Sequence, residues 1–543
     1  MVSNKFIRAF LFLALFSASA AAQENRYMVF FKDKTGIPQT LSRPIDFLSE
    51  KAIQRRLNQN IDINNLDLPV KKEYIQSVRE AGAETYFTTR WLNAVLVQCD
   101  AALVPALEGL SFVDHVEFVA PGAKLQSGGR RSFNLRRKNN TFGVETESQL
   151  QMIGIDKMHQ AGYRGEGIVI AILDSGFPGV DAVAAFQHIF RDGRFSEAVS
   201  FDFVHNSANV FQYDDHGTEV LSVIAADVPD AYTGGANQAT FQLFVTEDVP
   251  TEYRIEEYNW LFAAERADSA GADIIHSSLG YYDFDDASMN YSLSQIDGKT
   301  TVVTRAAQWA ADRGIVVVTS AGNEGSIPSW RIITPPADGM DVLAIGGVNS
   351  TGQKTGSSSI GPTADNRIKP DLVALGLGVK VVKSNGQIST ASGTSLAAPL
   401  VTSLAAGVLQ RYPELTSKEL ISLLKQTASQ ATSPDNMLGY GIPNFQAVVN
   451  FREGSSQTRP FEVYPNPLKK DDTLMVSPMD PSRYSSCQIE LVSSQGQLLS
   501  RINAKFDWLN RTYKADLSGY SAGLYYIRVV AEKRRYTFKV VKL

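Results

Sequence analysis

Along the 543 residues the spacing of apolar positions takes three successive characters. Near the N-terminus, Tyr27 to Phe31, Arg90 to Cys99 and Val113 to Phe118 are rich in β-branched and aromatic residues and predict strands, while Ile45 to Leu57 and Lys72 to Ala81 carry apolar residues at helical spacing. Together they predict a small α+β domain over 23–121. From 147 to 451, short apolar runs at Ile168–Leu173, Phe241–Val245, Ile274–Ile275, Ile315–Thr319, Val342–Ile345 and Val379–Val382 are separated by helical segments such as Arg254–Ala270 and Thr301–Arg313. Runs of this kind mark parallel strands buried on both faces, with crossover helices between them. A doubly wound α/β domain is therefore expected, with its site at the carboxyl ends of the strands. Further on, Val463–Pro467, Gly523–Ile527 and Tyr536–Lys542 alternate apolar and polar residues as a small β-sandwich does, and predict a last domain over 461–543.

The stretches between these patterns read as connections. Residues 122–146 hold Gly128-Gly129-Arg130-Arg131 and Arg136-Arg137-Lys138 with no period, a solvated basic linker that is easily cut. A second polar linker is expected over 452–460. At the start, Lys5 and Arg8 precede an apolar run from Ala9 to Phe16 and the small residues Ala20-Ala21-Ala22, the layout of a secretory signal peptide over 1–22 with Gln23 as the mature start. No later stretch reaches the length of a membrane span.

Composition narrows the function classes. With 44% hydrophobic and only 20% charged residues, the chain has to fold into packed cores. A formal net charge of −5 gives no electrostatic reason for a nucleic-acid partner. The two cysteines, Cys99 and Cys487, fall in different expected domains, so export is not matched by a disulfide framework.

Four segments of the central domain carry chemistry. Asp174-Ser175-Gly176 puts a carboxylate where the strand Ile168–Leu173 emerges. Asp214-Asp215-His216-Gly217-Thr218 opens an apolar helix and offers an imidazole, the natural general base near neutral pH once a carboxylate such as Asp174 fixes its tautomer. Ser392-Gly393-Thr394-Ser395 leads into a long apolar helix through Leu409, setting a hydroxyl nucleophile where free amides and the helix dipole favour negative charge. Asn323, in Ser320-Ala321-Gly322-Asn323-Glu324-Gly325 after the strand Ile315–Thr319, can donate its amide to an oxyanion.

These segments, with Pro399, resemble the four signature segments of the subtilisin-like serine proteases, in that family's Asp, His, Ser order. The resemblance implies that Asp174 orients His216, that His216 takes the proton from Ser395, and that Asn323 with the Ser395 N–H forms the oxyanion hole. It also implies that Ser277, Ser278, Leu279 and Gly280 pair with substrate backbone. The chain departs from the pattern at His276, where the family usually carries Asn, and at Leu396, where it usually carries Met. Residues 23–121 resemble the family's inhibitory propeptide, through Trp91–Val97 and Val113–Phe118. The last domain resembles the C-terminal sorting domain of type IX secretion in the Bacteroidetes. The implied protein is a secreted or cell-surface serine endopeptidase made as a zymogen, exported by the Sec route and across the outer membrane. Its partners would be peptide substrates, its own propeptide and the type IX machinery, and no cofactor is implied.

Taken singly, each of these residues has a plainer reading as a cap, turn or core residue, and it is their joint occurrence that favours catalysis. Of the other histidines, His115, His159, His188 and His205 have no matching neighbourhood and are expected to be structural. The acidic group Asp283, Asp285 and Asp286 does not follow a calcium-loop pattern, and no metal is assigned. Tyr281, Tyr282 and Trp330 are candidate walls of an apolar pocket as much as ordinary packing. An esterase of the α/β-hydrolase type is disfavoured because the nucleophile comes last and lacks a Gly-x-Ser-x-Gly elbow. The remaining alternative is a catalytically silent surface-binding module on the same fold.

Overall fold

The structure, a computed structural model, describes residues 24–123, 146–457 and 460–543, apart from 470, 471, 480, 482, 483, 485, 503, 508, 532 and 533. The expected signal peptide and the basic motifs of the 122–146 linker lie outside the described residues. The chain divides into two compact units, one up to Val448 and one from Val449 onward.

The N-terminal domain is a four-stranded antiparallel sheet in the order Glu84–Thr89, Ala94–Asp100, Glu24–Phe31, Val113–Pro121, with helices Glu50–Asn58 and Lys72–Glu80. The first helix begins later than its apolar pattern because Ser49 caps it, accepting from the Ala52 amide at 3.2 Å, while Pro44–Asp46 forms a separate 3₁₀ turn. Arg90 to Asn93, expected to open a strand, is instead a turn in which Asn93 adopts a φ of 52°. That turn joins Ala94–Asp100 to Glu84–Thr89, a strand whose polar Glu and Thr residues hid it. Strand alternation splits the side chains between two cores. Val29, Val95 and Val97 pack with Val78 and Leu107 of the same domain. Met28, Leu96, Val119 and Ala120 face the other way and share a core with Tyr258, Leu261, Phe262, Ala306 and Ala310 of the following domain.

The central domain is built on a seven-stranded sheet in the order Leu372–Leu375, Val342–Val348, Val316–Ser320, Ile274–Ser277, Val169–Asp174, Thr240–Val245, Phe201–Asp202, with every neighbouring pair parallel. The chain starts near the middle, at Val169–Asp174, works to one edge and then crosses to the other side. This creates a switch point beside Ile274–Ser277, where side chains from two windings meet. The run Val379–Val382, read above as one of the parallel strands, pairs antiparallel with Ile388–Ala391 in a separate hairpin. The edge strand is instead Leu372–Leu375, whose boundary is obscured by Pro370. Helices His216–Ala225 and Thr394–Arg411 pack against each other. Helix Ile255–Ala270 is buried almost all round, including Glu256, Glu257, Glu265 and Asp268, because it also packs against the N-terminal domain.

The second unit holds two four-stranded antiparallel sheets. One runs Phe461–Tyr464, Leu474–Pro478, Thr512–Ala515, Phe506–Asp507, and the other Leu498–Ile502, Gln488–Ser493, Gly523–Ala531, Arg534–Lys542. They share a core of Phe461, Val476, Leu491, Tyr513, Ile527 and Phe538. The helix Phe445–Gln457 occupies most of the stretch read as a polar linker over 452–460. Cys99 and Cys487 are both free thiols.

Candidate active site

Asp174 ends the central strand and is fully buried, as a carboxylate aligned against one partner should be. The backbone then turns at Gly176, whose φ of 140° and close approach to the Gln212 carbonyl leave no room for a side chain. This turn brings the start of helix His216–Ala225 over the strand end, and His216 Nδ1 lies 2.8 Å from Asp174 Oδ1. The carboxylate accepts the Nδ1 proton, which leaves Nε2 as the free base position. Burial disfavours the imidazolium, but the Asp174 charge and hydrogen bond, helped by Asp214 and Glu219, outweigh it and hold His216 up at about 9. Asp214 also accepts the His216 amide at 2.9 Å.

Ser395 stands in the first turn of helix Thr394–Arg411, so its N–H has no intrahelical acceptor. Its Oγ donates a long 3.5 Å hydrogen bond to the Ser278 carbonyl. Pro399 lies four residues on and has no amide to give to the Ser395 carbonyl. The Ser278 hydroxyl takes that place, donating to Ser395 O at 2.8 Å. Ser278 is in turn oriented by His276, whose Nε2 lies 3.0 Å from the Ser278 hydroxyl and whose Nδ1 lies 2.8 Å from the Thr402 hydroxyl. Because Ser278 donates to Ser395, it must accept from His276, which fixes the proton on Nε2 and leaves Nδ1 to accept from Thr402. Full burial pushes His276 down to about 3, so the ring is neutral. The departure at His276 therefore lies in the interior behind the substrate edge. Leu396 is likewise buried packing.

Asn323 follows the strand Val316–Ser320. Its Oδ1 accepts from both the Thr394 amide at 3.0 Å and the Thr394 hydroxyl at 3.1 Å, which sets the amide orientation and leaves Nδ2 to donate. Asn323 Nδ2 and Ser395 N lie 3.7 and 3.8 Å from the point that a Cβ on Gly393 would occupy. Asn323 Oδ1 lies 3.6 Å from the same point, so the Asn323 amide group and the Ser395 N–H are close neighbours beside Gly393, whose φ is 152°.

One cleft is lined by His216, Ser395, Asn323, Ser278, Leu279 and Gly280. Of the expected substrate-edge residues, Ser277 is not on this lining. It is fully buried, and its hydroxyl accepts from Trp260 Nε1 at 2.9 Å. The lining also includes Asp214, Glu247, Val249, Glu324 and Thr334, which the sequence reading did not single out as site residues. Glu247 and Val249 follow a strand end, a signal that the strand-end rule offers; Thr334 comes from a loop with no such mark. Glu324 accepts from Thr334 Oγ1 at 2.9 Å and Ser359 Oγ at 2.7 Å. Tyr281 is buried with its hydroxyl on Glu247, and Tyr282 packs on Trp330 with centroids 4.1 Å apart, so none of the three lines the cleft.

The remaining candidates have local roles. His159 and His188 bond to the carbonyls of Gly235 and Asn237, His205 stacks on Tyr213, and His115 stacks on Phe30. Asp283 and Asp286 accept from Asn290 and Ser288 within their own loop, while Asp285 accepts from the Glu252 amide and ties that loop to the one before helix Ile255–Ala270.

A model of the subtilase family matches residues 165–441. The peptidase S8 propeptide domain of Bacteroidota matches residues 26–135, and a secretion system C-terminal sorting domain matches 462–543. The sorting-domain match implies secretion and a cell-surface or extracellular location. Subtilisin of Bacillus pumilus is 28% identical over 304 residues, covering 55% of this chain and 97% of that protein. The serine protease AprX of Bacillus subtilis is 29% identical over 316 residues, covering 52% and 66%. The epidermin leader peptide processing serine protease of Staphylococcus aureus shares the fold at 16% identity, with a TM-score of 0.55 over 79% of this chain and 99% of that one.

Proposed function

Because this chain belongs to the subtilase family and is a serine endopeptidase made with a propeptide, we propose that Ser395 is its nucleophile, His216 its general base and acid, Asp174 the group that orients His216, and Asn323 an oxyanion donor. The observation that carries this is the 2.8 Å His216–Asp174 contact in a cleft shared with Ser395 and Asn323. Ser395 Oγ attacks the scissile carbonyl carbon while His216 Nε2 takes its proton, and the new imidazolium is held by Asp174. The tetrahedral oxyanion sits between Asn323 Nδ2 and the Ser395 amide, which act in a water-poor site without reorganising. His216 then gives the proton to the leaving amine, an acyl-enzyme remains on Ser395, and water attacks it by the same base. Ser278, Leu279 and Gly280 form the edge that pairs with substrate backbone, and Ser277 supports them from within.

In this reading residues 23–121 are the intramolecular inhibitor and 122–146 the processing linker. Residues 461–543 engage the type IX machinery after Sec export of a precursor with a signal peptide over 1–22. Intact-mass analysis of the full chain and its Ser395→Ala variant, each treated with a fluorophosphonate, tests it. Loss of the N-terminal block near 122–146 and labelling in the wild type alone are expected. If neither protein is processed and a trimmed preparation still takes no label, the chain is instead the silent surface-binding module.

A further inference from the structure

Outside the reacting groups, the loop that leaves strand Thr240–Val245 and enters helix Ile255–Ala270 carries three glutamates. One carboxylate oxygen from each of Glu247, Glu252 and Glu256 lies within 4.8 Å of the others. Glu256 is only 1% exposed. Its Oε1 accepts from the Asp248 amide at 2.7 Å, while Oε2 is enclosed and has no hydrogen-bond partner. Glu252 meets Glu256 side chain to side chain. Glu247 accepts from the Tyr281 hydroxyl and lines the cleft, which gives the group an opening to solvent.

Ionised carboxylates only accept hydrogen bonds, so three of them at this spacing need a cation or shared protons between them. Among the described residues no lysine or arginine forms a salt bridge with any of the three. Arg254, which precedes the helix, is engaged with Glu117, Glu257 and the Met289 carbonyl. Arg26 of the N-terminal domain gives its Nε to the Pro121 carbonyl. Three oxygens within 4.8 Å of one another lie no farther than about 2.8 Å from a common point, so small side-chain shifts bring all three to the roughly 2.3–2.6 Å of calcium ligation. An all-oxygen set selects hard cations over zinc or copper.

We propose that Glu247, Glu252 and Glu256 form a site for one hard divalent cation, calcium in the first place, at the edge of the catalytic cleft. This goes beyond the protease reading and does not depend on the roles given to Ser395 or His216. The ion fills the space beside the unpartnered Glu256 Oε2 and ties the loop between strand and helix to the cleft wall through Glu247.

The test uses full-length Ser395→Ala protein, stripped with EDTA and titrated with CaCl₂ by calorimetry, alongside the same chain carrying Glu252→Gln or Glu256→Gln. Each glutamine variant is expected to bind one calcium ion fewer. Glu252 is half-exposed, so its variant keeps the comparison available if Glu256→Gln does not fold. Terbium luminescence gives a second readout in the unmutated cluster, because Tyr281 lies against Glu247 and sensitises a bound ion. Tyr281→Phe should cut the emission without changing the calcium count. Equal calcium counts in parent and glutamine variants overturn the proposal, as does a parent that binds none. If the counts are equal but Glu252→Gln in the active enzyme selectively loses cleavage of peptides with arginine or lysine near the scissile bond, the carboxylates serve a substrate cation instead.

Discussion

At the residue scale, the proposed roles make the reacting groups interdependent. Ser395→Ala and His216→Ala should each lower kcat by about 10⁶-fold, and the double variant should lose little more. Additive losses, measured by steady-state kinetics on the processed enzyme, would contradict a shared proton transfer. Asn323→Leu should cost about 10²–10³ in kcat with a small change in KM, since the amide acts on the transition state. Activity needs neutral His216, and its neighbours hold the proton on up to about 9. Accordingly kcat/KM should climb through the neutral range toward alkaline pH, and Asp214→Asn, by removing one favourable charge, should move the rising limb to lower pH. A limb that stays in place removes Asp214 from the field at His216. These groups were legible in the sequence because each sits in a short local pattern at a strand end or helix start. Thr334 was not, since only the folding of a distant loop brings it to the cleft, and Glu247 carried no mark beyond its place after a strand end. His276 was legible as a departure but not as a buried bridge from Thr402 to Ser278, a fact of packing depth.

At the scale of elements, the contact between the N-terminal domain and helix Ile255–Ala270 combines apolar area with charge. Asp268 is fully buried and accepts from Arg55 at 2.5 Å, Arg56 at 2.8 Å and Arg90 at 2.6 Å, all three on the N-terminal domain. Asp67 bridges Arg56 and Arg313 across the same boundary. Burial alone would raise the Asp268 pKa, but the three guanidinium groups outweigh it and hold it at about 2. Since its folded value lies below the ordinary 3.8, Asp268 stabilises the assembled form above that pH and loses its contribution as pH falls toward 2. Asp268→Asn leaves three arginines short of a counter-charge and should cost about 3–5 kcal/mol of zymogen stability. Denaturant unfolding of the Ser395→Ala precursor checks this, and an unchanged midpoint would show the network to be neutral. The sequence marked the helix but not its charged seam, because Glu265 and Asp268 look like solvent-facing positions until a second domain covers them. Val379–Val382 misled for a related reason: an apolar run reports burial, and Val379, Val381 and Val382, in a hairpin laid on the domain, are buried as fully as residues of a strand inside the sheet.

At the scale of the whole molecule, the roles proposed for the segments flanking the protease would follow one another in time. A precursor ending at residue 460 should keep its processing and probe labelling when purified, yet fail to reach the cell surface, as cell fractionation would show. Secretion of the truncated chain at the normal level would remove the sorting role from 461–543. The N-terminal domain poses a different problem for the cell. Met28, Leu96, Val119 and Ala120 belong to the same apolar cluster as Tyr258 and Leu261, and three arginines grip one aspartate beside them. Severing the chain between the two domains breaks a covalent tether and none of these contacts. With the N-terminal domain as the inhibitor proposed above, the cut would start a clock: the delay before the enzyme works would be set by how often the severed piece loosens enough to be digested, and the tightness of one seam would decide how far from its birthplace the protease travels before it begins.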